Sequence, residues 1–455
     1  MARNEQRNTT WVMIVSAFIS TFMSSSLNLA VPGMGAYFNV SAAAIGWIIT
    51  AYILTTTALS VPFGKIADTT GRRRIFLLGV ILFSLSCFGS AMAESFPIMM
   101  VMRCVQGVGA SMLFATNTAI IVSVYPATER GKAIGRLLAG TYTGLSAGPV
   151  AGGILTHALG WRSIFIAAGV AGLISFIIAV RNLPRRESLT QEISRDAGGN
   201  ILYILMIVLF IYGFTSIGEI KPAPLILLAG IAAGFGFVFT ELKSDNPVVD
   251  VRIFAGNPAY TLSNLAALLN YGSTFAIGYL LSIYLQVIMG YSSMIAGIIL
   301  VAQPVVMAVL TPRVGQLSDR VAPYKLATAG MLICTGCLIF YAFLGLHTHL
   351  AAIIISLIIT GFGFSVFSSP NMNAIMSYVD KKDYSVASSI LATMRTLGQS
   401  SSMSILTIIV GIFLGNSALA DAEPQQLLHT MKICFIVFAV ICFVGALFSL
   451  KRRDS

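Results

Sequence analysis

Charge is scarce in this chain. Only 10% of its 455 residues are Asp, Glu, Lys or Arg, while 56% are hydrophobic. A water-soluble fold of that composition lacks the polar surface to cover itself, so a polytopic membrane protein is expected. Acids are rarer still, 17 against 28 bases, for a formal net charge of +11. The bases are scattered over short links rather than gathered on one face, which argues against a nucleic-acid partner and for membrane orientation. A disulfide framework is missing too. Cys87, Cys104, Cys334, Cys337, Cys434 and Cys442 all fall inside apolar stretches, where each reads as a small hydrophobic residue. Cys334 and Cys337 have half-site spacing but no second pair, and His347 and His349 have no third ligand, so no metal site is expected. There is no GxxxxGK[ST] phosphate loop, catalytic triad or soluble domain. ATP hydrolysis and enzymatic function are therefore disfavoured, and no cofactor is implied.

What the chain has instead is apolar length. A bilayer core needs about 20 mostly apolar residues per helix, and fourteen such windows can be placed, from 11–34 and 44–66 to 386–415 and 430–450. The first is too long for the core of a cleaved signal peptide, roughly 7–15 residues, and reads as a retained helix. If the amino terminus is cytosolic, alternate links carry Arg72 to Arg74, Arg130, Lys132, Arg181, Arg185, Arg186, Arg195, Lys243, Arg252, Arg320, Lys325, Lys381 and Lys382. The tail adds Lys451 to Arg453, and the opposite links offer Arg162, Lys221 and Lys432. The positive-inside rule then predicts an even helix count and both termini in the cytosol.

Four motifs stand out. Between the second and third windows lies Gly64-Lys-Ile-Ala-Asp68-Thr-Thr-Gly71-Arg72-Arg73-Arg74, with an echo at Gly315-Gln-Leu-Ser-Asp319-Arg320. Glycine permits a tight turn near a neighbouring helix, and a carboxylate there can face the positive amino end of another helix. The fourth window carries Arg103-Cys-Val-Gln106-Gly107-Val-Gly109, a guanidinium at membrane depth that needs a partner or a wet cavity. The fifth carries Gly144-Leu-Ser-Ala-Gly148-Pro149-Val-Ala-Gly152-Gly153, small residues for close helix approach around a proline bend. Trp161-Arg162 and the stretch Ala392 to Gln399, which includes Arg395, complete the pattern.

Together these motifs resemble those of the Major Facilitator Superfamily, and with fourteen windows the chain looks like its fourteen-spanner drug:proton antiporter family. The resemblance implies an all-α fold of two six-helix bundles related by alternating access. The expected division is 1–181 for the first bundle, 182–199 for a cytosolic link, 200–242 for two extra helices and 243–455 for the second bundle. It also implies export of hydrophobic or amphiphilic small molecules from the cell membrane by proton antiport, with a monomer sufficient. An alternative is one specific metabolite or organic anion.

By analogy, Asp68 should meet the segment near Tyr384 to Ser388 and Asp319 the segment near Glu129 to Ala133, as conformational latches with Gly64, Gly71, Arg72, Arg73 and Arg320. Gly144, Gly148, Pro149, Gly152 and Gly153 form the antiporter motif. The expected substrate and proton pathway contains Asn28, Arg103, Gln106, Asn117, Tyr142, Asn270, Gln303 and Arg395. Ser20, Ser24, Asn264, Tyr271, Asn371 and Asn373 are further polar candidates. One departure concerns coupling: Met23 stands where the family usually has a first-helix carboxylate, and no acid falls clearly at mid-membrane. Glu219 and Asp68 are the remaining candidates. Such a cavity favours neutral or anionic amphiphiles over lipophilic cations.

Overall fold

The computed structural model describes residues 2–40, 42–183, 196–216, 221–244, 247–414 and 423–452. The side chains of Asn28 and Pro149 lie outside the described set, as do Glu219 and most of the polar link after Leu183. In chain order the helices are α1 (Ala2–Phe38), α2 (Ala42–Thr70), α3 (Arg72–Ala91), α4 (Phe96–Val124), α5 (Arg130–Leu159), α6 (Arg162–Asn182), α7 (Ala197–Thr215) and α8 (Ala223–Lys243). There follow the short α9 (Arg252–Gly256), α10 (Pro258–Thr274), α11 (Ala276–Ile283), α12 (Ser293–Leu300), α13 (Ala302–Leu317), α14 (Pro323–Ala342), α15 (Leu350–Ser377), α16 (Tyr384–Leu414) and α17 (Pro424–Lys451). A helix suits a lipid-embedded chain, since it satisfies its backbone polar groups internally.

Twelve helical stretches among the described residues are long and apolar enough to cross a membrane. The fourteen windows thus reduce to twelve by this measure, with shorter apolar segments at Val150–Leu159 in α5 and Gly198–Phe214 in α7. The physical reason in α5 is composition: it opens on Arg130, Lys132 and Arg136 and is rich in glycine and threonine. Large apolar side chains such as Ile154, Phe235 and Ile412 project from the outer surface, as a lipid-facing shell requires.

α1 begins earlier than expected, at Ala2 rather than near Trp11, because its polar first turns find partners. Gln6 Nε2 donates to the Val124 carbonyl at 2.9 Å, Asn8 pairs with Asn182 at 3.0 Å, and the Thr10 and Tyr125 hydroxyls share a hydrogen at 2.8 Å. These contacts place the start of α1 beside the ends of α4 and α6. Arg452, just beyond α17, reaches Ser263 and Asn371 at the start of α10 and the end of α15. The face where α1 starts and α17 ends is here termed the terminal face.

Within the first half, α1 packs on α5, α2 on α4, and α3 on α4 and α6. Within the second half, α10 packs on α16 and α17, α14 on α15 and α17, and α13 on α15. The two halves meet where α5 crosses α13 and where α2 and α4 meet α16, while the α7–α8 pair leans on α2 and α16. Trp161 and Tyr341 are buried rather than placed as lipid-interface anchors. Trp161 packs against Tyr37, Phe38 and Phe165, and the Tyr341 hydroxyl pairs with that of Thr360 at 2.9 Å.

Two helical columns of the second half are broken near their middles. Between α10 and α11, the Ala276 amide donates to Ser402 Oγ of α16 at 3.1 Å, a bond that leaves its own helix. Between α12 and α13, Pro304 has no N–H to offer the Leu300 carbonyl, so the chain breaks at Val301 and restarts with proline in the tolerated first turn. Both breaks face the centre of the molecule.

Candidate functional site

The two carboxylates of the repeated motif sit at equivalent places on the terminal face, each on the first turn of a helix from the other half. Asp68 Oδ2 accepts from the amides of Ser385 at 3.0 Å and Val386 at 3.1 Å, at the start of α16. Arg72, one turn on, holds the other oxygen through Nε at 2.8 Å and Nη2 at 2.6 Å. It also donates to the Lys381 carbonyl and lies over the Tyr384 ring. The Asp68 side chain is only 1% exposed, so its charge is balanced by a guanidinium and a helix amino end rather than by water. Gly71 adopts φ 111°, a backbone state that strains other residues, and so allows α3 to start directly after α2. Gly64 lets α2 approach α16: a Cβ there would stand 2.6 Å from Ser389 Oγ. Arg73 serves its own half, donating to the Val180 carbonyl of α6 at 2.9 Å.

In the echo, Asp319 Oδ1 accepts from the Gly131 amide at 2.7 Å and Oδ2 from that of Lys132 at 3.0 Å, at the start of α5. Burial pushes this carboxyl above the usual carboxylate range, and the two amides pull it part of the way back. Arg320 is exposed and does not repeat the part of Arg72. The backbones close the gap instead. A Cβ on Gly315 would run into the Gly131 carbonyl, and one on Gly135 would stand 2.7 Å from the Thr311 carbonyl. Ser369 and Ser388 add cross-links to the carbonyls of Gly131 and Phe114, at 3.4 and 2.9 Å. Ser369 is not among the expected residues, and Ser388 enters only as the end of the segment expected to meet Asp68; their place in small-residue runs is the one hint of these bonds.

Behind this closed face lies a cavity of about 420 Å³ between the halves, within the range of a small-molecule site. Its walls include Ser20, Ser24, Tyr52, Thr56, Phe114 and Tyr142 from one half and Tyr271, Phe275, Gln303, Phe364, Arg395 and Gln399 from the other. Both helix breaks contribute, through Thr274, Phe275, Leu300 and Pro304. The Phe364 ring stands edge-on to Tyr142 and Tyr271, with centroids 6.2 and 5.4 Å away. Arg395 places its guanidinium 5.1 Å from the centre of the Phe114 ring. Among the described residues of this lining, Arg395 is the single Lys or Arg, and none is Asp or Glu. A narrower extension toward the terminal face is lined by Asn117, Thr118, Met372 and Ser388.

Of the expected pathway residues, Tyr142, Gln303 and Arg395 line the cavity and Asn117 the extension. Asn28 has no described side chain. Arg103 and Gln106 do not line it. Arg103, 1% exposed, donates to the Ile48 carbonyl at 2.8 Å and to Gln106 Oε1, with its charge 4.5 Å from the Tyr52 ring centre. Gln106 in turn donates to Cys87 Sγ. Tyr52 therefore separates this guanidinium from the cavity. Asn270 is fully buried with its amide atoms unpartnered, and Asn371 and Asn373 serve the terminal face through Arg452 and Ser318. Asn264 turns back to the Tyr260 carbonyl. Asn264, Asn371 and Asn373 are thus absorbed by helix packing, the alternative use of such residues in a membrane interior.

The glycines of α5 form a seam with α1. A Cβ on Gly144 would stand 2.5 Å from the Phe18 carbonyl, and Gly148 and Gly152 abut Ser25 and Ser26. Ser26 Oγ donates to the Gly148 carbonyl and Thr21 Oγ1 to that of Thr141. Gly153 is half-buried farther along. Met23, 1% exposed, is buried in the α1 core and absent from the cavity lining.

Known proteins share both the sequence and this architecture. The riboflavin transporter RibZ of Clostridioides difficile is 30% identical over 459 residues, covering 98% of each chain. The multidrug resistance protein Stp of Mycobacterium tuberculosis is 26% identical, covering 88% of this chain and 74% of its own. The human organic anion transporter MFSD10 superposes with a TM-score of 0.66 at 13% identity over 96% of this chain and 99% of that one, a likeness of fold alone. The sequence profile described as Major Facilitator Superfamily matches residues 13–403 and again 265–455. Two helical halves that meet through a repeated acidic loop around a central cavity thus have a known setting: the chain belongs to the Major Facilitator Superfamily, a family of multi-pass membrane transporters and not of enzymes.

Proposed function

We propose that this transporter exports neutral or anionic amphiphilic small molecules by rocking α1–α6 against α10–α17. The observation that carries this reading is the cavity itself: aromatic walls, several hydroxyls and amides and, among the described residues, one arginine and no carboxylate. An organic cation would meet Arg395 without a compensating charge, whereas an anion or a polar conjugated ring would gain from it. Counting α5 and α7 with the twelve long spans gives fourteen, which corresponds to a first bundle at 1–181, a link at 182–199, an extra pair at 200–242 and a second bundle at 243–455. The positive-inside rule favours a cytosolic terminal face, so the closed latches belong to an outward-facing state. In this state Asp68, Arg72 and Asp319 act as latches, and unlatching exposes the cavity to the cytosol.

Export by proton antiport draws support from the glycine-proline motif of α5 and from the likeness to the multidrug protein Stp. Coupling then uses a group other than residue 23. A second reading, transport of one flat heterocyclic metabolite, is favoured by the 30% identity to a riboflavin transporter along nearly the whole chain. Riboflavin joins a planar ring system to a polar tail, a shape suited to Phe364, Tyr142 and Arg395. The experiment is flux in proteoliposomes of riboflavin and of anionic, neutral and cationic dyes, with and without a pH gradient, in the native protein and Arg395→Ala. Flux of anionic and neutral solutes should fall about tenfold or more in the variant. Preferred transport of cations, unaffected by the substitution, would sink the reading. Flux of riboflavin alone would select the second one.

A further inference from the structure

A second group of polar atoms without partners lies away from the cavity, at the terminal-face end of the α7–α8 hairpin. Asp196 caps α7: its Oδ1 accepts from the Gly199 amide at 2.7 Å, while Asn200 Nδ2 donates to its backbone carbonyl at 2.8 Å. Glu241, on the last turn of α8, is 1% exposed, and its Oε2 accepts from the Val249 amide at 2.9 Å. The other oxygen of each carboxyl, Asp196 Oδ2 and Glu241 Oε1, is buried with no hydrogen-bond partner among the described residues. The two stand together. Both flank the point where a Cβ on Gly199 would be, Asp196 Oδ2 at 3.0 Å and Glu241 Oε1 nearer still.

An ionised Glu241 is costly beside a second carboxylate in a place where burial removes the water that would screen them. One proton removes the conflict, since it turns an unpartnered acceptor into a donor for its neighbour. We propose that Asp196 and Glu241 share one proton and form a proton-binding site at the base of the hairpin. Lys65 of α2 is the cation close enough to act on Glu241, and it forms no ion pair among the described residues. Lys243 of α8 is turned onto the Phe239 ring, and Arg252 reaches the Leu242 carbonyl at 2.7 Å. Asp250 follows Val249, and Lys382 and Asp383 line the same groove from the start of α16.

The location gives the proton a structural reach. Val248 and Val249, held by Glu241, pack in one cluster with Tyr203 and Phe237 of the hairpin, Ala58 and Val61 of α2, and Val386 and Ile390 of α16. The site therefore changes its charge at a junction that touches both halves beside the Asp68 latch.

The test is infrared difference spectroscopy of the full chain in lipid nanodiscs, titrated with pH, for the native protein, Glu241→Gln, Asp196→Asn and a control at exposed Glu94, Glu94→Gln. The native protein should show a protonated-carboxyl band at neutral pH. Glu241→Gln should lose the amplitude of one carboxyl, Asp196→Asn should shift the same band, and the control should keep it. Two ionised carboxylates, whatever cation balances them, would leave no such band, and a band unchanged in both variants belongs elsewhere; either result overturns the proposal. So does loss of the native band on adding sodium or calcium at fixed pH, which would make the occupant a metal cation. The readout needs no transported solute, so its failure leaves the transport reading untouched.

Discussion

The two acidic contacts proposed as latches follow one plan built to different specifications. At the first the contact is between charges: Asp68 is sealed from water, paired with Arg72 and set on the amino end of α16. At the second, Asp319 keeps the helix-end contact but has no arginine partner, and close backbone approach at Gly131, Gly135 and Gly315 supplies the fit. A family-level repeat therefore conveys where two halves meet without fixing how. The electrostatic latch depends on protonation state and charge pairing, whereas the steric one depends on the absence of side chains.

That contrast can be broken from either end. The largest effect is expected from Gly131→Val, whose Cβ would stand 2.7 Å from Asp319 Oδ1 and nearer still to Ser318 and the Gly315 carbonyl. Overpacking of roughly 3 kcal/mol should disfavour the closed terminal face on the order of a hundredfold. The check is maleimide labelling from the terminal side of a cysteine at Thr118 in a Cys104→Ser background, which should accelerate accordingly. Asp68→Asn comes next. It leaves an acceptor but removes the charge facing Arg72, a loss of about 2 kcal/mol or roughly thirtyfold in the closed-to-open ratio. Arg72→Lys should cost less, about threefold, since an ammonium keeps the charge but not the fork that spans Asp68 and the Lys381 carbonyl.

Asp319→Asn should have the smallest effect at neutral pH, within about threefold, with a distinctive pH signature. Burial raises the Asp319 carboxyl in the latched state, so that state binds the proton more tightly than one with a solvated carboxyl near the ordinary value of about 4. Acidification should tighten the second latch, the gain being complete below the ordinary value and lost as pH rises through the raised one. Labelling rates of native and variant proteins between roughly pH 4 and pH 8 would show this, and the Asp319 contribution should vanish in Asp319→Asn.

Much of this was legible because the motifs encode local needs. The carboxylates at 68 and 319, the glycines between them and the bases after them mark loops that approach helix ends, and the family resemblance named the ends. The cavity was less legible, since a buried arginine looks the same in sequence whether it faces solute or packing. Arg103 and Arg395 both lie at membrane depth, yet Tyr52 screens the first and the second lines the cavity. Residues such as Asn371 read as cavity polar groups until Arg452 is seen beside them; burial lowers that arginine to about 10, so it remains charged at neutral pH among Ser263, Asn371 and Ser449. Spacing alone carries no signal for such long-range pairing. The helix breaks were half visible: Pro304 announces one, whereas the Ala276–Ser402 bond joins residues far apart in the chain.

The most direct test of the latch account is a distance distribution between spin labels at Arg74 and Lys382, with a second pair at Thr128 and Arg320, in lipid nanodiscs and the Cys104→Ser background. The native protein should give a dominant short distance at both pairs, and Asp68→Asn should add a longer population at both, because the two latches close one face together. Native and Asp68→Asn proteins with identical distributions would contradict the claim that this carboxylate holds the halves together.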